Sequence, residues 1–208
     1  MKNKVYYRRN LPHIQPPGEL FFVTWTLKGA IPKEKRREIQ SQHQIAIKNI
    51  KDKEELDKTN RIFFKKYDEI LHHEQSGNHY LKNKRLAKIV ADALHYWDNK
   101  RMELIAYCIM SNHVHLVLRM FYKDVNDKIL YLRDVLSSIK RYTSRQCNKV
   151  IGKTGNHFWQ DESYDRHIRD DAELERIIQY VLNNPVKANL CKSWEDWEFS
   201  YIADKYRP

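Results

Sequence analysis

The chain has few cysteines and no long apolar run. Its three cysteines, Cys108, Cys147 and Cys191, include no Cys-x-x-Cys pair. Neither a disulfide framework nor a cysteine-based zinc site is therefore expected, and the pattern fits a reducing cytoplasm. No apolar run approaches the roughly 20 residues of a membrane-spanning helix, and the charged N-terminus leads into no signal-peptide-like apolar segment. These absences predict a cytoplasmic protein with no place in a membrane.

Positive charge and aromatic side chains are abundant instead. The 208 residues include 38 Lys and Arg against 27 Asp and Glu, which gives a net charge of +11, and there are 13 Tyr and 5 Trp. A basic surface indicates a polyanionic partner, and nucleic acid is the commonest one. A basic protein without such a partner is the alternative. The length suits one domain with a core, or one domain plus extensions.

The hydrophobic pattern predicts strands and helices in a mixed order. Residues 20–27 (LFFVTWTL) indicate a strand, and 104–118 indicate two strands joined by a turn at 110–112. Amphipathic spacing predicts helices over 84–98 and 124–148. The charged segment 33–73 predicts one or two further helices, partly outside the main core. This order is typical of an α+β fold, a ferredoxin-like or RRM-like antiparallel sheet backed by helices.

Two histidines flank one apolar residue in the predicted central strand, in the order His113–Val114–His115. Residues i and i+2 of a strand point to the same side. The two imidazoles should therefore lie side by side, with Val114 pointing into the core. Such a pair can hold a metal ion or a phosphate, although two half-buried histidines without a ligand are the commoner outcome for so short a pattern.

A last helix is predicted over about 171–184. Asp170 and Glu173 have capping-box spacing at its start, and Pro185 should stop it. Tyr180 and Asn184, four residues apart, should share one helix face. Each has an ordinary alternative: Tyr180 as a core tyrosine, and Asn184 as the C-cap.

Together these four side chains meet the requirements for attack on a phosphodiester, which needs a nucleophile, a cation and positioning. Tyr180 offers a phenol. His113, His115 and Asn184 offer an uncharged ligand set, which leaves the charge of a divalent ion available to phosphate oxygens. Because the pKa of free tyrosine is near 10, such a site has to assist deprotonation or polarise the phosphate.

Several segments resemble one known family. NHVHLVL resembles the HUH motif (histidine, hydrophobic, histidine) of the single-tyrosine, IS200-like transposases. FWQDESYDRHIRDDAELERIIQYVLNNPVKANL is similar to the C-terminal signature of the REP-associated tyrosine transposases, and LPHIQPPG with FFVTWTL to their beginning. The resemblance covers most of the chain and is weakest over 33–82. It implies an HUH endonuclease-type fold in a single domain, 1–208, with a charged helical insertion at about 33–82.

The resemblance also implies residue roles. His113 and His115 match the metal ligands, Asn184 the amide ligand, and Tyr180 the nucleophile that forms a 5′-phosphotyrosyl link and frees a 3′-OH. It implies Mg²⁺ or Mn²⁺ as the metal, without excluding Zn²⁺, and single-stranded or REP-like hairpin DNA as the partner. Tyr142, on a predicted basic helix, is a rival nucleophile that lacks an amide one turn later; packing against the sheet or stacking on DNA is the more ordinary role for it.

Aromatic and basic residues predict a DNA-binding surface, since aromatics stack on unpaired bases and cations follow phosphates. The predicted DNA-binding residues are Lys140, Arg141, Arg145, Trp159, Gln160, Tyr164, Arg166 and Arg169. His167 lies in the same segment. Core packing is the alternative for Trp159. Pairing with Asp165 and Asp170 is the alternative for Arg166 and Arg169.

Three functions remain in comparison. The first is DNA nicking and strand transfer by a transposase near the nucleoid, as a monomer or a homodimer. The second is an inactive or domesticated protein that binds hairpin DNA. The third, an unrelated zinc hydrolase, is disfavoured because no HExxH motif or acidic residue adjoins the histidine pair, and His72, His73 and His79 are expected in a solvated loop.

Overall fold

The α+β prediction is confirmed by a computed structural model that describes residues 5–8, 12–73 and 76–207. A five-stranded antiparallel sheet has the order β6-β3-β5-β4-β7, and β1 and β2 form a separate two-stranded ribbon. The strands are β1 (Tyr6–Arg8), β2 (Pro12–Ile14), β3 (Leu20–Leu27), β4 (Met102–Ile109), β5 (His113–Met120), β6 (Trp159–His167) and β7 (Ser200–Ile202). The helices are α1 (Lys33–Ile47), α2 (Lys53–His73), α3 (Lys84–Trp97), α4 (Leu132–Val150), α5 (Asp171–Leu182) and α6 (Asn184–Lys187).

The central strand β5 divides its side chains between two cores. Val114, Leu116 and Leu118 pack beneath α3 and α4. His113 and His115 point to the opposite face, which α2 and α5 cover. We call the latter the histidine face. Strand alternation thus places the predicted ligand pair and the main core on opposite sides of one rigid strand, as expected from the sequence.

The segment before the strands contains two helices, and α2 is part of the folded core. Phe64 and Leu71 of α2 are 8% and 2% exposed. The segment 33–73 lies partly outside the core, as expected, since Ile45 and Ile62 are 72% and 62% exposed. His72 and His73 form the last turn of α2 rather than a loop, because the helix continues while it packs on the sheet. Residues 9–11, within the opening segment, and 74–75, within the predicted loop, lie outside the described residues.

Helix α4 begins at Leu132, eight residues later than predicted. The preceding residues form a turn in which Asp124 Oδ1 accepts hydrogen bonds from the backbone N–H of Asn126 (2.9 Å) and Lys128 (3.0 Å). Val125 in this turn is 97% exposed. Aspartate side chains that satisfy nearby backbone groups compete with helix formation, and no burial compensates here.

Helix α5 has the predicted N-terminus. Asp170 Oδ1 accepts a hydrogen bond from Glu173 N (2.7 Å), and Glu173 Oε2 accepts one from Arg169 N (2.9 Å). The helix ends at Leu182, and Pro185 sits inside the one-turn helix α6 that follows. Asn183 is the C-cap, so the alternative role of Asn184 as the cap is wrong. Within the described part of the chain, no helix has the length and apolarity needed to cross a membrane.

Candidate active site

The histidine pair is buried and its ring orientation is fixed by neighbouring side chains. Both rings are 0% exposed, and their Nε2 atoms are 3.0 Å apart. His113 Nδ1 donates to Asn112 Oδ1 (2.6 Å), and His115 Nδ1 is bonded to Thr24 Oγ1 (2.7 Å) on β3. Because an amide oxygen only accepts, His113 keeps its proton on Nδ1 and its Nε2 lone pair points at its neighbour. Burial first, and then the nearby His115, hold the pKa of His113 well below its usual range.

Helix α2 brings a carboxylate and a third imidazole to this pair. Asp68 Oδ1 lies 3.2 Å from His115 Nε2 and 3.6 Å from His113 Nε2, and His72 Nε2 lies 3.7 Å from Asp68 Oδ2. One ligand atom from each of the four residues lies within 4.8 Å of all the others. Asp68 is 3% exposed, and its Oδ1 has no hydrogen-bond partner among the described residues. Burial alone would raise the pKa of Asp68, but the imidazoles, His115 foremost, hold it below its usual range.

This cluster fits a divalent cation. Two atoms that bind one ion at about 2.1 Å and at right angles are about 3 Å apart, close to the 3.0 Å and 3.2 Å separations found here. In the metal-free arrangement a proton on His115 Nε2 lies between the two imidazoles, and a divalent cation would replace it while neutralising the nearby Asp68 carboxylate. Imidazole with carboxylate suits first-row and similar divalent ions.

Asn184, the predicted third ligand, reaches the same cluster with its oxygen already engaged. It is 0% exposed; its Oδ1 accepts a hydrogen bond from His72 Nε2 (2.8 Å), and its Nδ2 donates to Tyr180 O (2.8 Å). Burial is the main reason that the pKa of His72 is lowered. Because an amide oxygen has two lone pairs, the bond from His72 leaves one of them for a metal, and the ligand role of Asn184 stays a prediction.

Tyr180, the predicted nucleophile, lies against the same carboxylate. Its hydroxyl donates a hydrogen bond to Asp68 Oδ2, and its ring stands edge-on to His115 with centroids 5.7 Å apart. Lys187 Nζ lies 4.4 Å from the ring centroid. Burial and then the negative charge of Asp68 raise the pKa of the phenol above its ordinary value. The structure therefore brings together Tyr180, His113, His115 and the neighbourhood of Asn184.

Tyr142, the rival nucleophile, lies on the other side of the sheet. It belongs to α4, whose buried residues pack into the core that holds Val114. Its side chain is 54% exposed, so it does not pack against the sheet as one alternative had it. The sheet separates Tyr142 from the histidine face within one chain.

Two of the predicted DNA-contacting aromatics are packing residues. Trp159 is 4% exposed, and its Nε1–H donates to Thr143 Oγ1 (2.8 Å), so base stacking by Trp159 is wrong and its core alternative holds. Tyr164 stacks on Phe64 with centroids 4.2 Å apart. Burial raises the pKa of Tyr164 above its ordinary value. Both rings therefore pack against other side chains of the protein.

The predicted cations of β6 form ion pairs with partners other than those expected. Arg166 pairs with Glu173, and Arg169 pairs with Asp57 at 3.1 Å. Pairing with Asp165 and Asp170 is wrong, since Asp170 caps α5 and Asp165 binds the buried His13. These partners come from α5 and α2, which fold over the strand.

The cations of α4 remain on the surface. Arg141 and Arg145 are exposed beside an open groove that the loop around Asn156 helps to form. Lys140 Nζ donates to the backbone oxygens of Gln160 (2.7 Å) and Asp161 (3.2 Å), and the Gln160 side chain accepts from Arg36. Of the predicted DNA-binding set, Arg141 and Arg145 are exposed, as is Arg169 despite its ion pair with Asp57.

Sequence reasoning missed Asp68 and His72. The one available signal was their four-residue spacing on a helix, which places both on one face. That signal is weak among the many charged residues of 33–73, and the sequence does not indicate that this face packs over β5.

Comparison with known proteins adds three findings. The sequence model of the family described as "Transposase IS200 like" matches residues 77–184. A Haemophilus influenzae protein named as a candidate REP-associated tyrosine transposase is 32% identical over 101 residues, which cover 47% of this chain and 57% of that protein. The match therefore spans little more than half of that relative.

Two solved structures give the fold comparison. One, described as a REP-associated tyrosine transposase bound to a REP hairpin, has a TM-score of 0.54 and 17% identity and covers 100% of this chain and 89% of its own. This likeness shows a shared fold. A candidate transposase from Deinococcus radiodurans has a TM-score of 0.36 and 16% identity, with 79% and 89% coverage.

Helix α2, with Asp68 and His72, precedes the segment matched by the family. The matched segment contains the histidine pair, Tyr180 and Asn184 and spans more than half of the 208 residues. The family predicted from the motifs is confirmed: the chain belongs to the IS200-like transposase family.

Proposed function

We propose that the protein is a metal-dependent enzyme that nicks and joins single-stranded DNA through a 5′-phosphotyrosyl link on Tyr180, with REP-like hairpin DNA as the substrate. The observation that carries this proposal is the shared carboxylate: Asp68 accepts the Tyr180 hydrogen bond on one oxygen and faces the paired histidines with the other. The REP-associated relative and the structure bound to a REP hairpin support the choice of DNA.

His113, His115 and Asp68 would hold the metal, with Asn184 joining them through the lone pair of Oδ1 that does not accept from His72. A divalent ion such as Mg²⁺ or Mn²⁺ supplies positive charge to phosphate oxygens when it is bound. The Asp68 carboxylate lowers the net charge of such a site by one relative to the neutral His-His-Asn set. The carboxylate also binds the cation more tightly than an amide would, since carboxylates are strong ligands for both ions.

Tyr180 would attack the phosphorus atom through Oη. The Oη–P bond forms, the bond from phosphorus to the 3′ oxygen breaks, and that oxygen takes a proton from water, so the strand leaves with a 3′-OH. The phenol proton has an acceptor in place, because Asp68 Oδ2 already accepts its hydrogen bond. Burial and the charge of Asp68 keep the phenol protonated until a positive charge offsets them, which restrains the nucleophile before substrate arrives.

Access to this site requires a movement of α2. His113, His115 and Asn184 have no exposed surface, and α2 covers them through Asp68, His72 and the bond from Asn112 Nδ2 to Leu71 O (2.9 Å). A DNA phosphate therefore reaches the histidine pair only when α2 shifts away from β5. The closed arrangement protects the tyrosine from reaction in the absence of DNA.

The test is a suicide-substrate assay with labelled hairpin oligonucleotides from the REP-like sequences flanking the gene, in Mn²⁺ or in EDTA. We expect a metal-dependent, SDS-resistant protein–DNA band that Tyr180→Phe abolishes while hairpin binding stays nearly intact. Tyr122→Phe, at an exposed tyrosine remote from the site, is the matched control and should keep the band.

Each other outcome has a distinct meaning. A band that survives Tyr180→Phe but is lost in Tyr142→Phe would move the nucleophile to α4. Tight hairpin binding with no band under any metal would favour the inactive DNA-binding protein. No binding at all would contradict the substrate proposed here.

A further inference from the structure

An aromatic groove lies between α3 and α4, on the side of the sheet opposite the histidine face. It has a volume of about 500 Å³ and is open to solvent. Its walls carry Tyr96, Trp97 and Tyr142, and Ile139 forms its floor. Tyr96 and Tyr142 are 58% and 54% exposed. Nothing in the candidate active site uses this groove.

The tyrosines of the groove have free polar ends. In the described part of the chain, neither the Tyr96 nor the Tyr142 hydroxyl makes a hydrogen bond with the protein. The Tyr96 ring meets the edge of Trp97 with centroids 5.0 Å apart, which supports the platform from one side. Tyrosine combines a flat apolar ring with a polar end, so two exposed rings on facing helices offer a surface on which a planar group can stack.

Positive charge surrounds the rings. Lys100 Nζ lies 3.6 Å from the Tyr96 centroid, and Arg101 Cζ lies 4.5 Å from the Trp97 centroid. Arg145 follows Tyr142 by three residues on α4, so it lies on the same helix face, and it is exposed. The acidic residue of the lining, Asp92, is paired with Lys88 at 2.8 Å.

We propose that this α3–α4 groove binds unpaired bases of single-stranded DNA, which stack on Tyr142 and displace Lys100 from the Tyr96 ring to stack there, so that Lys100 and Arg145 contact the phosphates. Exposed aromatics interleaved with cations are the pattern of sequence-tolerant single-strand binding. An apolar protein partner would not explain the cations, Lys100, Arg101 and Arg145, that surround the groove. A twofold contact between two copies would set the same cations against each other.

The choice of DNA as the ligand rests on the proposed function. Because the groove and Tyr180 lie on opposite faces of the sheet, the bases held in the groove belong to a part of the strand away from the nick. The groove would then anchor the unpaired flank of a hairpin substrate while the histidine face acts on another phosphate.

The test compares two labelled hairpin oligonucleotides from the REP-like sequences flanking the gene, one with an unpaired flank and one blunt, by fluorescence anisotropy in EDTA. Tyr96→Ala and Tyr142→Ala should each weaken binding of the flanked hairpin about 10-fold, as expected for the loss of one stacked base. Binding of the blunt hairpin should stay nearly constant. Tyr96→Phe, which keeps the ring, should restore most of the affinity, and Tyr122→Ala, at a tyrosine that is 56% exposed, should have no effect.

Equal affinities of the alanine variants and the parent protein for the flanked hairpin would overturn the proposal. Loss of self-association on size-exclusion chromatography with light scattering, without loss of DNA affinity, would overturn it by making the groove a contact between copies. Adduct formation is measured separately with Mn²⁺. A normal Tyr180 adduct with no flank dependence rejects the groove alone, whereas flank-dependent binding without an adduct rejects the nicking function alone.

Discussion

Asp68→Asn tests the proposed metal site most directly, because it neutralises the buried carboxylate and keeps its shape. In the metal-free protein Asp68 Oδ1 is buried without a hydrogen-bond partner among the described residues. The imidazoles hold the pKa of Asp68 below its usual range, so the ionised carboxylate stabilises the metal-free fold and its neutralisation should cost stability. We therefore expect the free energy of unfolding of the metal-free variant to fall by about 1–3 kcal/mol, although an amide oxygen can still accept from Tyr180.

Loss of the attraction to the divalent ion should add a second effect. Two unit charges about 4 Å apart attract by about 4 kcal/mol at an effective dielectric constant near 20. The asparagine oxygen recovers part of that attraction, which leaves a loss of about 3 kcal/mol, or about 100-fold in Mn²⁺ affinity. Stabilisation by saturating Mn²⁺ then falls by about 2.7 kcal/mol. In a chain of 208 residues this is about 5–10 °C of the metal-induced rise in Tm.

Calorimetric titration with Mn²⁺ and thermal unfolding with Mn²⁺ or EDTA measure the two quantities. Glu69→Gln is the matched control, because it removes the same formal charge from the exposed neighbour on α2. Mn²⁺ affinity in Asp68→Asn equal to that of the parent protein would refute the assignment of Asp68 as a ligand. An equal loss in both variants would show that general charge, and not coordination, is responsible.

Two more predictions concern other charged groups. His13 is bonded to Asp165 and to Glu162 (2.8 Å); burial alone would lower its pKa, but these partners raise it to about 9. The stability that protonated His13 contributes is fully present below about pH 6.5 and is lost as the pH rises through about 9. Urea unfolding should therefore show a fall of about 2 kcal/mol in the free energy of unfolding over that window, after allowance for solvent screening. His13→Gln should remove this fall, and an unchanged pH profile in that variant would contradict the prediction. Arg141→Ala and Arg145→Ala should each reduce the salt dependence of log affinity for single-stranded DNA by about 0.7, and slopes identical to that of the parent protein would exclude them as phosphate contacts.

The regular elements of the sheet could be predicted because their signals are local. β3 and β5 contain apolar alternation or apolar runs, and the turn between β4 and β5 falls where expected. The late start of α4 shows the limit of this reasoning. Apolar spacing continued back to Ile129, but Asp124 closes a turn on its own backbone neighbours and Ile129 stays 42% exposed. A local polar contact outweighed a periodic pattern that had nothing to pack against.

The candidate site was predicted in part. His113 and His115 share a face because strands alternate, whereas Tyr180 and Asn184 adjoin across the boundary between α5 and α6, where Asn184 Nδ2 donates to Tyr180 O. Asp68 could not be assigned, because it lies 45 residues before His113 and outside the segment that the family matches. The partners of three further residues could not be predicted, because each partner is separated from its residue along the chain. These pairs are Arg166 with Glu173, Arg169 with Asp57, and Trp159 with Thr143.

The sequence by itself determined the fold class, the family, and which side chains of β5 and α5 share a face, because these follow from short-range backbone geometry and from motifs within single elements. Only the tertiary structure decided that α2 closes the histidine face, that Asp68 joins Tyr180 to the histidine pair, and that Tyr142 lies on the opposite side. These facts depend on which distant segments exclude water from each other. That balance of burial and charge is a property of the packed chain, and no single segment encodes it.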